Sequence, residues 1–309
     1  MSERDFLSLD DVSGGELSAL LDDADAARSD PASFAGRLDG RHVALIFEKP
    51  STRTRVSFEV AVTSMGGSAV VLRGDELQLG RGETIEDTGR VLSRYVDAIV
   101  IRTFGQDRLE RLADAADVPV VNALSDAEHP CQGIADLMTL RAVRGGLDGV
   151  SLAYLGDGNN VAHSLMLGAT KVGMDVRVAT PRDYRPDPEV VARAHANASA
   201  SGGRVTVTDA VAEAAAGAHA LYTDVWTSMG QEQESAPRRA ALEPYRIDAS
   251  VVALAADDVV VMHCLPAHRG EEIAADVMDG PHSIVWDQAE NRLHAQKALL
   301  AWLLASGSA

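Results

Sequence analysis

Six short polar segments each follow an apolar run of strand length, and their residue types define what chemistry they could do. The first is Phe47-Glu-Lys-Pro-Ser-Thr-Arg-Thr-Arg55. Ser51, Thr52 and Thr54 offer hydroxyls there, and Arg53 and Arg55 offer guanidinium groups. Placed at a strand-to-helix turn, whose first N–H groups point outward, they make a phosphate cradle. It is not a nucleotide P-loop, because no Gly-x-x-x-x-Gly-Lys is present. The second segment is Arg102-Thr103, a cation at a strand end. The third is His129-Pro-Cys-Gln132, where His129 and Gln132 lie three residues apart and could both bond one carbonyl oxygen.

The fourth, Gly156-Asp-Gly-Asn-Asn160, opens like a dinucleotide fingerprint, but its third glycine position is Val161, so a nicotinamide cofactor is not expected. Asn159 and Asn160 suit a polar small molecule at a helix N-terminus instead. The last two are Asp224-Val-Trp-Thr-Ser-Met-Gly230 and His263-Cys-Leu-Pro266. Asp224 could hold a cationic amine and Ser228 a carboxylate, while Cys264 could be a nucleophile, a base or a core thiol. His129, Cys131, His263 and Cys264 lack the spacings of dedicated zinc sites, so no metal is expected.

The elements that must position these groups alternate regularly. Strands are expected at 42–47, 69–72, 98–101, 118–121, 150–155, 175–179, 220–222, 259–262 and 283–285. Helices are expected at 53–65, 84–94, 135–144, from Asn160, and at 291–304. Such alternation predicts parallel sheets covered on both faces. Gly145-Gly146 breaks the pattern, after which the cycle restarts. The expected fold is therefore α/β, with two doubly wound parallel-sheet domains, residues 1–146 and 147–290, and the active site in the cleft between them. The apolar helix 291–305 is expected to pack back on the first domain.

Composition removes several function classes. The 309 residues carry 46 acidic and 28 basic groups, a formal charge of −18. Such a surface repels phosphate backbones and anionic lipid, so neither nucleic acid nor membrane is an expected partner. The acids are 29 Asp against 17 Glu, and the bases 25 Arg against 3 Lys, a balance that suggests a salt-loving source. Two cysteines exclude a disulfide framework and suit a reducing compartment. No apolar run approaches the roughly 18 residues of a membrane span, and the N-terminus lacks a signal-peptide pattern. A cytoplasmic location is expected.

Taken together and in order, these segments, with Leu79-Gly-Arg-Gly-Glu83, resemble the ornithine carbamoyltransferases over essentially the whole chain. Ser-Thr-Arg-Thr-Arg and His-Pro-x-Gln mark the wider carbamoyltransferase family; Ser-Met-Gly and His-Cys-Leu-Pro are its ornithine signals. The resemblance implies that Ser51, Thr52, Arg53 and Thr54 bind the phosphate of carbamoyl phosphate, and that Arg102, His129 and Gln132 hold its carbonyl. It implies that Gln78 reaches into a neighbouring subunit's site, that Cys264, Leu265 and Arg292 complete the carbamoyl phosphate pocket, and that Asn160, Asp224, Ser228 and Met229 bind ornithine. It further implies a homotrimer, no cofactor, and direct attack of the δ-amine on the carbonyl, with Arg102, His129, Gln132, Asp224 and Cys264 as the catalytic set. A free alkylammonium has a pKa near 10.4, so about 0.04% is neutral at pH 7 and the site must manage that proton. A sister acceptor, such as aspartate, putrescine or an acetylated ornithine, and a non-catalytic homologue are the rival readings.

Overall fold

The structure, a computed structural model, describes residues 5–74, 82–227 and 232–304, so Gln78, Ser228 and Met229 lie outside the described residues. The chain divides into two compact units, Met1–Met138 with Asn291–Ala309, and Thr139–Glu290.

In the first unit, α1 (Gly14–Ser29) precedes β1 (His42–Phe47), α2 (Thr52–Ser64), β2 (Ser68–Arg73), α3 (Ile85–Leu92), β3 (Ala98–Arg102), α4 (Gln106–Ala115), β4 (Val120–Leu124) and α5 (Pro130–Arg144). The four strands are all parallel, in the order β2-β1-β3-β4. Successive residues of β1, Val43, Ala44, Leu45 and Ile46, are all fully buried. Neighbouring side chains on a strand point to opposite faces, so both faces of this sheet are covered. On one of them Ile85 of α3 and Leu109 and Leu112 of α4 pack against Ala44, Ile46, Ile99 and Ile101.

The second unit holds β5 (Ser151–Leu155), α6 (Asn160–Lys171), β6 (Asp175–Ala179), α7 (Pro188–Ser201), β7 (Arg204–Thr208), α8 (Val211–Ala215), β8 (Ala220–Thr223), α9 (Ser235–Leu242), α10 (Ala249–Val252), β9 (Val260–His263) and α11 (Ala275–Met278). Its five strands are also parallel, in the order β7-β6-β5-β8-β9. The last helix, α12 (Val285–Leu304), starts in this unit and continues into the first.

Several details depart from the sequence expectation, which named no helix at α1, α4 or α7 to α11. Ser283–Val285 is not a strand: Ser283 forms a single bridge to Val261, and Val285 already opens α12. Helix α5 starts at Pro130 rather than at 135, because proline fits the first turn, where its missing N–H has no partner to lose. Strand β7 escaped the pattern; it is the edge strand Arg-Val-Thr-Val-Thr, and only Val205 in it is fully buried.

Both sheets place the functional segments by the same rule. In the first, the chain leaves β1 for β2 on one side and β3 lies on the other, so the strand order reverses between β1 and β3. In the second, it reverses between β5 and β8. Helices leaving neighbouring strands to opposite faces open a crevice beyond the carboxyl ends at such points. Residues 48–54 and Arg102 stand at the first switch point, and residues 156–160 and Asp224 at the second.

Candidate active site

Ser51 is the N-cap of α2, its hydroxyl accepting from the Thr54 N–H at 3.3 Å. No acidic residue occupies the first turn, so the positive end of the helix is left for a ligand. Thr52 is exposed, Ser51 and Arg53 are half-buried, and Thr54 is buried. Arg55 departs from the expected cradle: it pairs with Glu59 one turn along the helix, at 3.2 Å. Two residues that the motif contains but the sequence reading left unused hold the loop in place. The Glu48 carboxylate takes the Arg108 guanidinium through Nε (3.0 Å) and Nη2 (2.7 Å), and also the Thr103 hydroxyl. Lys49 is 6% exposed, pairs with Asp126 and lies over the Phe104 ring at 4.4 Å. The signal for both was present in sequence as a charged pair beside a glycine-free turn, but their partners lie 55 to 77 residues away.

Around the cradle the first unit gathers buried cations. Arg102 and His129 are 9% and 4% exposed. Burial, together with the Arg292 and Arg102 guanidiniums, holds the His129 imidazole well below its ordinary value, so it stays neutral and can donate through one nitrogen. Gln132, Thr54 and Arg292 form a chain: Arg292 Nη1 donates to Gln132 Oε1 and its Nη2 to Thr54 Oγ1, each at 2.6 Å. The other end of the Gln132 amide donates to Asp136 at 2.8 Å. Sequence-predicted Arg292 thus joins the site from a helix more than 150 residues further along the chain.

The second unit gathers carboxylates. Asp224 is 6% exposed; its Oδ2 accepts from Asn159 Nδ2 at 2.8 Å and its Oδ1 from the Cys264 thiol at 3.0 Å. Asn159, not Asn160, is the N-cap of α6, its Oδ1 accepting from the Val161 and Ala162 N–H groups and from the Tyr154 hydroxyl. Burial, then Asp224 and Asp157, push Tyr154 well above its usual range, so the phenol remains a donor and fixes which way the Asn159 amide faces. Asn160, half-buried, opens the helix beside it. The turn packs tightly on the chain behind it: a Cβ at Gly158 would lie 2.3 Å from the Pro186 nitrogen, so this position requires glycine.

Two further residues went unassigned in the sequence. Arg238, 5% exposed, binds the Asp157 carboxylate, donates to the Trp226 carbonyl at 2.7 Å, and lies over the Tyr184 ring. His263 accepts the Leu265 N–H on Nδ1 at 2.8 Å, which leaves Nε2–H for Glu272 Oε1 at 3.2 Å. Burial raises the Glu272 carboxyl, but hydrogen bonds from His263 and the His268 N–H outweigh it and hold the group below its usual value. Leu265 sits at φ 60°, a left-handed conformation that costs a non-glycine residue of order 1–3 kcal/mol. The Leu265 N–H bond to His263 ties this turn to the buried His263–Glu272 pair.

Among the described residues, two groups bring three possible metal ligands within 4.8 Å of one another: Asp224, His263 and Cys264, and His268, Glu271 and Glu272. Their donor atoms are largely engaged, Cys264 with Asp224, His263 with Glu272 and Leu265, and Glu271 with Arg239. Cys131 takes no part: its thiol faces the Asn122 carbonyl at 3.3 Å, and burial pushes it up to about 12.

Comparison with known proteins agrees with this layout. Residues 4–142 match the model of the aspartate/ornithine carbamoyltransferase carbamoyl-P binding domain, and residues 148–303 that of the Asp/Orn binding domain. An ornithine carbamoyltransferase of Parafrankia sp. is 60% identical over 307 residues, covering 98% of this chain and 97% of the relative. The structure of ornithine carbamoyltransferase from Pyrococcus furiosus superposes with a TM-score of 0.95 at 51% identity, covering 100% of this chain and 99% of the other. An acetylornithine transcarbamylase complexed with acetylcitrulline gives a TM-score of 0.88 at 34% identity, covering 97% and 99%.

Proposed function

The chain belongs to the aspartate/ornithine carbamoyltransferase family, and from that premise we infer that it is an enzyme transferring the carbamoyl group of carbamoyl phosphate to the δ-amine of L-ornithine, giving L-citrulline and phosphate. The observation that carries the choice of acceptor is Asp224: a buried carboxylate between Asn159 and Cys264 suits an amine and opposes an aspartate.

Ser51, Thr52, Arg53 and Thr54 bind the phosphate at the N-terminus of α2, and Arg102, His129 and Gln132 hold the carbonyl. Leu265, Cys264 and Arg292 complete that pocket. Asn160, Asp224, Ser228 and Met229 take ornithine, and Gln78 reaches a neighbouring subunit. The amine lone pair attacks the carbonyl carbon and a tetrahedral intermediate forms. The C–O bond to the phosphate then breaks, phosphate leaves with the electron pair, and the departing phosphate takes up the proton that the attacking nitrogen loses. Arg102 and the neutral His129 stabilise the oxyanion; one such donor is worth about 10²–10³ in rate. Positioning two substrates contributes roughly 7–11 kcal/mol at best. The Cys264 thiol donates to Asp224 Oδ1, which holds the carboxylate beside the place proposed for the amine.

The proposed assembly is a homotrimer in the cytoplasm. Val56 and Val60 on α2 and Val70 on the edge strand β2 are 52%, 42% and 42% exposed, apolar surface that a second copy would cover. Light scattering should give three times the monomer mass, and a monomer of full activity would overturn it. The charge of −18 supports a salt-rich setting.

The test of the reaction is citrulline formation from carbamoyl phosphate and L-ornithine at low and molar KCl, with putrescine, aspartate and N-acetylornithine as parallel acceptors. Turnover with ornithine alone is expected. Turnover preferring another acceptor would overturn the Asp224 assignment, and none at any salt would favour a non-catalytic homologue.

A further inference from the structure

Gln132 is one side chain with two nearly isosteric ends, and its neighbours dictate which end faces where. A guanidinium can only donate and a carboxylate can only accept. Arg292 therefore claims Oε1, at 2.6 Å, and Asp136 claims Nε2, at 2.8 Å. Arg292 in turn donates to Thr54 Oγ1 at 2.6 Å, so that hydroxyl must point its own hydrogen elsewhere. All four side chains are nearly inaccessible, with Asp136 at 0%, Gln132 and Thr54 at 1% and Arg292 at 3%. They come from three helices, α2, α5 and α12, and Asp136 stands one turn beyond Gln132 on α5.

We propose that Asp136 is a positioning residue for the carbamoyl phosphate site: by holding the Gln132 amide with Oε1 toward Arg292, it keeps Arg292 spanning Gln132 and Thr54 and makes the Thr54 hydroxyl a hydrogen-bond donor to the ligand. Without the carboxylate the amide can turn its NH₂ toward the guanidinium, and two donors then face each other among side chains closed to bulk solvent. Arg292 loses Gln132 as an acceptor and shifts, which disturbs the contact that sets the Thr54 hydrogen. The inference rests on assigning Thr54, Gln132 and Arg292 to carbamoyl phosphate.

The experiment is steady-state kinetics on the full-length protein. Asp136→Asn keeps the shape of the side chain but can donate as well as accept. It is expected to raise KM for carbamoyl phosphate roughly 10- to 100-fold, as for a buried polar group left mispaired, with KM for ornithine changing less than about threefold. Because Asp136 acts through Gln132, the same substitution in a Gln132→Ala background should add nothing to that background's own rise. An unchanged KM for carbamoyl phosphate in a folded Asp136→Asn variant, or an equal further rise in the Gln132→Ala background, would overturn the proposal. If Asp136→Asn yields no folded protein, the exchange Asp136→Asn with Gln132→Glu replaces it. The pair restores a donor at 136 and an acceptor toward Arg292. It should fold and bind carbamoyl phosphate more tightly than Gln132→Glu alone, and no gain over that single variant counts against the idea. Failure of the underlying site assignment looks different: Arg292→Ala and Thr54→Ala would then leave KM for carbamoyl phosphate unchanged, whatever Asp136 does.

Discussion

The two units solve opposite electrostatic problems with the same device, a switch point in a parallel sheet. At the first switch point the buried cations are Arg102, Arg292 and Lys49, with the Asp136 carboxylate behind Gln132, and burial together with the two guanidiniums keeps the His129 imidazole neutral. At the second the buried charges are carboxylates, Asp224, Asp157 and Glu272, with the buried Arg238 among them. A dianionic donor and a cationic acceptor require that division. The construction differs as well. The first site is locked by side chains meeting from three helices, Thr54, Gln132 and Arg292. In the second, Asn159 before α6, Arg238 on α9 and His263 at the end of β9 each tie a backbone turn to a carboxylate. Mispairing in the first should therefore show in donor affinity, and in the second in acceptor affinity and pH dependence.

The largest expected effect is at Arg102. Arg102→Ala should fold and lose about 10²–10³ or more in kcat, measured by citrulline release; near-normal turnover would remove the oxyanion role. Asp224→Asn should come next. It keeps the shape beside Asn159 but removes the charge, and should raise KM for ornithine about 100-fold while KM for carbamoyl phosphate stays within about threefold. Equal changes in both constants would erase the division of labour between the units.

A smaller effect separates the sites by pH. Burial pushes the Asp157 carboxyl up to about 6, with Arg238 opposing and Asp224 adding to the rise. A carboxyl whose folded value lies above the usual 3.8 holds its proton more tightly in the folded chain. Its contribution to stability is thus full below about pH 4 and is lost as pH rises through about 6. Function runs the other way, because protonation removes the anion that Arg238 binds while it holds Trp226. From pH 7.5 to 5.5, KM for ornithine should rise about three- to tenfold more in the parent than in Asp157→Asn. Parallel profiles would show that the pair does not couple to the acceptor. The smallest effect is global. Raising KCl from 0.1 to 2 M should lift Tm by about 5 °C by screening the acidic surface, and no shift would argue against a salt-adapted chain.

Much of the site was legible in one dimension because its motifs are local. The polar turn after each strand is decided by residues within three or four positions, and in the structure Ser51 caps α2 and Asn159 caps α6 at two of these turns. Glu48, Asp136, Arg238 and His263 could not be given roles that way. Their chemistry depends on partners that are anonymous in sequence: an arginine on α4, the orientation of an amide, a backbone carbonyl at Trp226, a buried glutamate. Arg55 shows the reverse error, since a guanidinium in a phosphate motif still turns outward when Glu59 stands one helical turn away.

What the sequence determined by itself was the alternation of apolar strands and helices, the parallel sheets that follow from it, and the polar residues at strand ends. Each of these depends on periodicity and on which residue follows which. What only the tertiary structure decided was the strand order, which makes β1/β3 and β5/β8 the switch points, and the hydrogen-bond polarity around Gln132 and Asn159. A buried amide or thiol carries no direction until a neighbour that can only donate, or only accept, is packed against it, and that neighbour is chosen by the fold.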